Sequence, residues 1–246
     1  MSYFGSTEYL IQVGRGLVPG VGSVNVVGSG PISNIGMVDI WDAGGSATEM
    51  TAPTNLQISS TNAGDTTVTI AVSGVSGLYA AHQQVAVLNG QTGVTVPSDW
   101  NGMIRGIQTV GGTAPLGAVY LSVAGATLVG GVPSNQADIK AKMSIGDNIS
   151  HNSFITIPAG KSAMVIKPYV GVSAKDKEFN YCFAVKPENG VFANFLFGTV
   201  INNTIVYPIE SSVLFPEKSI LKARATYTGA GSEVVGAGAT ILIIDN

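Results

Sequence analysis

The chain has 246 residues, a formal net charge of −3, 11% charged and 45% hydrophobic residues, and 32 glycines. So sparse a charge, with no clustered Lys and Arg, excludes a nucleic-acid-binding surface. No apolar run reaches the length of a membrane span, and the single cysteine excludes an intrachain disulfide.

Residues 1–50 hold ten of the 32 glycines, and only Glu8, Arg15, Asp39 and Asp42 are charged before Gly45. This stretch has no periodic apolar face. It is too apolar for a solvated tail and too glycine-rich to fold alone. It reads as an extended arm, about residues 1–50, ordered by lying on another surface. Met1–Gly5 has neither the basic nor the apolar region of a signal peptide, which predicts synthesis in a cytosol. Trp41 lies in a glycine-poor island, Met37–Asp42, and is the expected anchor, set either in this subunit's own core or against a partner. Gly44 and Gly45 then turn the chain into the body.

Beyond Pro53 the sequence breaks into short apolar runs bounded by Gly, Pro and Asn. Strands are predicted over Thr66–Val72, Gln84–Leu88, Val94–Val96, Met103–Val110 and Ala118–Val123, with Asn89-Gly90 as a hairpin turn. The loop Gly130–Asn135 marks a subdomain boundary, because charge changes there. Residues 1–137 contain no lysine and only Arg15 and Arg105 as cations, whereas the other ten cations follow. Asn135–Met143 is the one plausible helical turn. Further strands are predicted at Ser153–Ile157, Ala163–Val172, Phe179–Val185, Phe192–Val200, Thr204–Tyr207, Ile220–Tyr227 and Thr240–Ile244. Pro158–Lys161 and Phe215–Ser219 are Pro-led turns, and Asn202-Asn203 is a tight one. The fold class is all-β: a β-sandwich or jelly-roll-like body preceded by an extended Gly-rich N-terminal arm. The body divides into residues 51–134 and a jelly-roll-like 135–246, or forms one continuous sandwich.

Catalytic and cofactor motifs are missing. Gly160-Lys161-Ser162 lacks the earlier glycine of a phosphate-binding loop, since position 155 is Ile155. His82 and His151 have no second His or Cys at metal-ligand spacing. Asp39 and Asp42 would point to opposite faces of a strand, and Asp176 and Glu178 sit in a charged hairpin tip. Cys182 sits in an alternating strand pattern and reads as a buried structural thiol. The sequence thus predicts no catalytic, metal or cofactor site.

Three segments carry a family resemblance. Gly14-Arg15-Gly16, then Asp39-Ile40-Trp41-Asp42-Ala43-Gly44-Gly45, then Leu56–Ser60 with Asp65 nearby resemble virion structural proteins of tailed bacteriophages. Those carry a Gly-Arg-Asn segment and a Glu-Asp-Val-Trp-Asp-x-Gly-Gly box before a β-rich body. Ile157–Lys161, Phe215–Ser219 and Leu242–Asn246 resemble the same family's C-terminal half. Gly16 and Val38 depart from the usual Asn and Glu. The resemblance implies a head-decoration or cement protein on the capsid surface, synthesised in the host cytoplasm and bound to the major capsid protein. It implies no catalytic residues. The expected assembly is a homotrimer, with Arg15, Trp41, Asp42, Gly44 and Gly45 as partner-binding residues and no nucleic-acid or membrane partner. The alternative is a receptor- or glycan-binding module of a tail or fibre, with Tyr79, Trp100, Tyr169 or Tyr227 stacking on sugars.

Overall fold

The computed structural model describes residues 7–33, 36–172, 177–201, 204–206 and 213–246. A short helix, α1 (Thr7–Gly14), precedes β1 (Val21–Ser33) and β2 (Val38–Asp39). Then come β3 (Met50–Ser60), β4 (Thr69–Ser76), β5 (Ala81–Val87), β6 (Val94–Val110) and β7 (Val119–Val123). The small hairpin β8 (Leu128–Val129) and β9 (Val132–Pro133) and a 3-10 turn at Gln136–Asp138 lead to β10 (Ile139–Met143). The last group is β11 (Phe154–Thr156), β12 (Lys161–Val172), β13 (Glu178–Lys186), β14 (Ala193–Ile201), β15 (Thr204–Val206), β16 (Leu214–Phe215), β17 (Ile220–Tyr227) and β18 (Ser232–Asp245).

Eight of these strands wrap as a jelly roll. One sheet runs β1-β18-β12-β15 and the facing sheet β11-β17-β13-β14, all pairs antiparallel. Numbered within the roll, the orders are first-eighth-third-sixth and second-seventh-fourth-fifth, the double Greek key of that architecture. The two inner faces bury Val170, Phe179, Tyr181, Ala225 and Val235 at one end and Val165, Leu221, Ala239 and Ile241 at the other. Pro168 falls inside the central strand β12, where it cannot donate to a ladder. It is accommodated at a bulge between Ile166 and Tyr169, with Lys167 at φ 51°. The outer face of the first sheet is covered by α1, whose Tyr9 and Val13 bury Met164, Ile166 and Leu242.

The all-β expectation holds, but the division of the chain differs from the predicted one. Residues 21–33 of the expected arm are extended, yet they are the first strand of the roll, paired along their whole length with β18 from Val21↔Ile244 to Ser33↔Ser232. The roll is discontinuous. It is built from the described residues of 21–40 and of 154–245, and the domain between them, residues 50–143, is inserted after β2. The predicted boundary at 134 is therefore displaced: β10 lies beyond it and pairs with β7. The expected helical turn at Asn135–Met143 is a single 3-10 turn followed by that strand. α1 escaped the sequence reading because its apolar positions occupy barely two turns among glycines.

The inserted domain is one six-stranded sheet, β10-β7-β3-β6-β4-β5, folded over its own apolar face. All six strands feed one core that includes Leu56, Ile70, Ala86, Trp100, Leu121 and Met143. The fold-over happens within β6, which pairs with β3 through its first half and β4 through its second. The sequence suggested two strands here. Ser98 at φ 73° and Gly102 at φ 60° bend one strand instead of ending it. Asn89-Gly90 is likewise no two-residue hairpin, since β5 pairs with β4 and not β6; Gly90 at φ 57° caps a loop by donating to Asp65 O. The turn expected at Asn202-Asn203 and the charged tip around Asp176 fall outside the described residues. No helix among the described residues is long and apolar enough to cross a membrane.

Candidate functional site

The two bodies join at a neck made by the outgoing segment Ile40–Trp41 and the returning segment Asn152–Ser153. Ser153 N donates to Ile40 O at 3.1 Å, and Ile40 N donates to Ala223 O at 3.2 Å. Both segments press against β1 where it carries glycine. A Cβ on Gly28 would lie 2.3 Å from Ile40 O, and one on Gly30 would lie 1.9 Å from Trp41 O. The glycines of the supposed arm thus let the arm's own chain cross it at backbone contact distance.

Trp41 is fully buried at this neck, edge-on to Phe154 with ring centroids 5.7 Å apart, in a cluster with Met103, Ile139 and Ile220. Its Nε1 donates to Gly45 O at 3.0 Å, closing the turn that Gly44 (φ 68°) and Gly45 (φ 67°) make. An irregular buried segment must satisfy its backbone carbonyls somehow. Here long side chains near β10 do so: Gln136 donates to Gly44 O, Lys142 to Asp42 O, and Lys140 to Thr48 O and Ala137 O. Lys142 is therefore spent on the Trp41 turn and Lys140 on the segments beside it, and burial lowers the Lys140 pKa against a smaller opposing pull from Asp138. Asp39, fully buried beside the turn, accepts from Lys222 Nζ at 3.0 Å and from Ala47 N at 2.8 Å.

The residues expected to bind a partner are placed as follows. Trp41 points into the neck of its own chain and offers no surface, and Gly44 is buried with it. Asp42 is tied inward, accepting from His151 N at 2.7 Å and meeting His151 Nδ1 at 3.3 Å. Its pKa is raised, first by burial. Asp147 approaches the same imidazole at 3.9 Å, so two carboxylates and one ring nitrogen converge. The convergence was not foreseen because Asp42 is 109 residues from His151. Gly45 is half-buried, and only Arg15, just beyond α1, is exposed. Cys182 is buried as expected, and burial pushes its thiol pKa up.

A different surface carries the features of an interface. On the inserted domain, Ile70, Val72, Ala86 and Ile107 point into the core, so alternation turns their neighbours outward. The register sets those neighbours in three rows: Val87, Thr69 and Val110; Val85, Ala71 and Gln108; Gln83, Ser73 and Gly106. All nine are uncharged; Val85, Val87 and Val110 are 52%, 49% and 46% exposed, while Ala71 between them is covered by its neighbours. Sequence alternation in Gln83–Val87 carried this signal, but which side of β5 met solvent depended on the sheet folding over itself.

No protein-family model matches the chain, and no curated protein matches it in sequence. Solved structures give only distant similarity. Particles derived from infectious bursal virus align over 92% of this chain and 70% of theirs, at 12% identity and a TM-score of 0.26. The VP2 subviral particle of infectious bursal disease virus aligns over 92% and 72%, at 12% identity and a TM-score of 0.24. Similarity at that level carries no argument about function.

Proposed function

We propose that this chain is a structural component of a bacteriophage virion, a decoration or cement protein that binds the major capsid protein as an oligomer. The observation that carries the reading is the uncharged patch around Val85, Val87 and Val110 on the outer face of β5, β4 and β6, which Arg105 borders at one end. Charged residues are depleted at the centres of protein interfaces, and exposed apolar patches on a sheet mark contact surfaces. The Trp41 box supplies the family resemblance, and with Trp41 buried this reading assigns docking to the inserted domain in place of the N-terminal segment. Weak contacts of this kind become a stable shell when an oligomer engages several lattice positions at once.

The test is a Val85→Asp/Val87→Asp double variant. Both side chains are half-exposed on an edge strand, so each substitution costs about 1 kcal/mol of strand propensity and neighbour contact, and circular dichroism establishes that the variant is folded. Co-sedimentation with capsids lacking this protein should be lost. Undiminished binding would refute docking through this face. Many copies per purified virion would agree with a shell component, whereas a few would favour a tail or fibre. Removing residues 1–45 is not an equivalent test, because it deletes β1 and with it one edge of the roll.

A further inference from the structure

Away from the valine face, a cavity of about 220 Å³ opens at the seam between the inserted domain and the roll. Glu49, Tyr79 and Asn101 line it from one side, and Lys186, Glu188 and Lys218 from the other. Four of the eleven lining residues are charged in a chain where 11% of residues are, and their formal charges cancel. Glu49 pairs with Lys186, and Glu188 with Lys218 at 3.1 Å. The pairing leaves one group unserved: Glu49 Oε2 is buried with no hydrogen-bond partner among the described residues. An acceptor left that way costs about 1–3 kcal/mol, and the carboxylate would have to turn this shielded oxygen toward the cavity to accept from a ligand.

The backbone around the cavity is strained. Five non-glycine residues among those described have positive φ, and three of them line this one space: Tyr79 at 61°, Asn189 at 59° and Lys218 at 58°. Asparagine adopts that region readily, whereas a bulky tyrosine does not. Tyr79 is held there from both bodies, donating to Ser76 O and accepting from Ala159 N, each at 2.8 Å. Strain of this sort persists where the surroundings over-determine it, and it concentrates at ligand clamps. The fixed conformation sets the half-buried Tyr79 ring within 5.8 Å of Lys218 Nζ. Burial, then the Glu188 and Glu49 carboxylates, raise the tyrosine pKa, so the hydroxyl remains a neutral donor.

Balanced acceptors and donors with no net charge, beside an aromatic ring, suit vicinal hydroxyls better than an anion or a cation. The volume lies below the roughly 300–1,000 Å³ of sites for drug-sized ligands and fits a single ring. We infer that this cavity binds one neutral pyranose sugar unit, its face against Tyr79, its hydroxyls donating to Glu49 and Glu188 and accepting from Lys186 and Lys218. The site exists only where the two bodies meet, and it is independent of the valine face.

Saturation-transfer NMR of the full chain against a panel of monosaccharides tests the inference. The panel holds neutral hexoses, N-acetylhexosamines, a uronic acid and a sialic acid, each at tens of millimolar. At least one neutral sugar should bind, with little loss in high salt. Tyr79→Gly, which keeps a residue suited to positive φ, and Glu188→Gln should each weaken it by about tenfold or more. Two-dimensional amide spectra establish that each variant is folded, and either folded variant suffices. Immobilised oligosaccharides ending in the same sugar separate the sources: equal or tighter binding indicates a glycan terminus, and binding of the free sugar alone indicates a small metabolite. No binding across the panel, binding of acidic sugars only, or neutral-sugar binding unchanged in a folded variant would each overturn the inference.

Discussion

Gly30→Ala puts the neck to a quantitative test. The new methyl carbon would fall 1.9 Å from Trp41 O and 2.7 Å from Trp41 C, both backbone atoms that no rotamer change can move aside. Either β1 or the Ile40–Trp41 segment must shift, and overpacking of this kind costs about 1–3 kcal/mol. Gly22 supplies the control. It lies in the same strand, its φ is not positive, and nothing stands within 4 Å of the place an alanine methyl would take. There alanine only restricts the unfolded chain, a gain of about 0.4–1 kcal/mol. For a domain of this size 1 kcal/mol shifts Tm by roughly 2–4 °C. A 2 kcal/mol loss in Gly30→Ala therefore lowers Tm by roughly 4–8 °C, while Gly22→Ala raises it by roughly 1–4 °C. Thermal unfolding followed by circular dichroism, with urea titration as a second measure, reads both. Equal behaviour of the two variants would refute the claim that the β1 glycines are there for backbone crossing.

Trp41→Ala should destabilise the folded chain by about 3–5 kcal/mol in urea unfolding, because it empties the cluster against Phe154. A change below about 1 kcal/mol, typical of surface positions, would mean that Trp41 is not part of the neck core. Asp65 makes part of the stability acid-sensitive. Its burial alone would raise the pKa, but bonds from Ser60 Oγ (2.6 Å), Leu116 N (2.9 Å) and Gly117 N (3.0 Å) outweigh that and hold it below the ordinary carboxylate value. A depressed carboxyl contributes stability that is present above the unfolded value of about 3.9 and lost as pH falls through the folded value. Asp65→Asn should cost about 1–3 kcal/mol near neutrality and flatten the urea midpoint below about pH 4. An unchanged acid slope would exclude Asp65 as its source.

Much of the architecture was legible because it depends on neighbours in the chain. Ile220–Tyr227 is strand in both readings, since alternation and the Pro216-led turn fix it locally. The Cys182 strand and its buried thiol follow from the same period-two pattern. The sugar site was not legible as a site. Tyr79 stood out as an aromatic, but Glu49 and Lys186 are 137 residues apart and meet only across the seam. Of the other aromatics considered for stacking, Trp100 and Tyr227 are buried, while Tyr169 is partly exposed.

Composition and periodicity by themselves determined an all-β chain, most of its strands, and a low-charge surface without a catalytic motif. Only the tertiary structure decided what residues 7–33 and 36–45 are. Residue alternation says which side chains share a face, but it is silent on which strand, far along the chain, supplies the other hydrogen bonds. That partner is β18, so the supposed arm closes its own roll. A glycine likewise announces that something comes close without saying what. At Gly28 and Gly30 it is the chain's own neck, with Trp41 buried inside it.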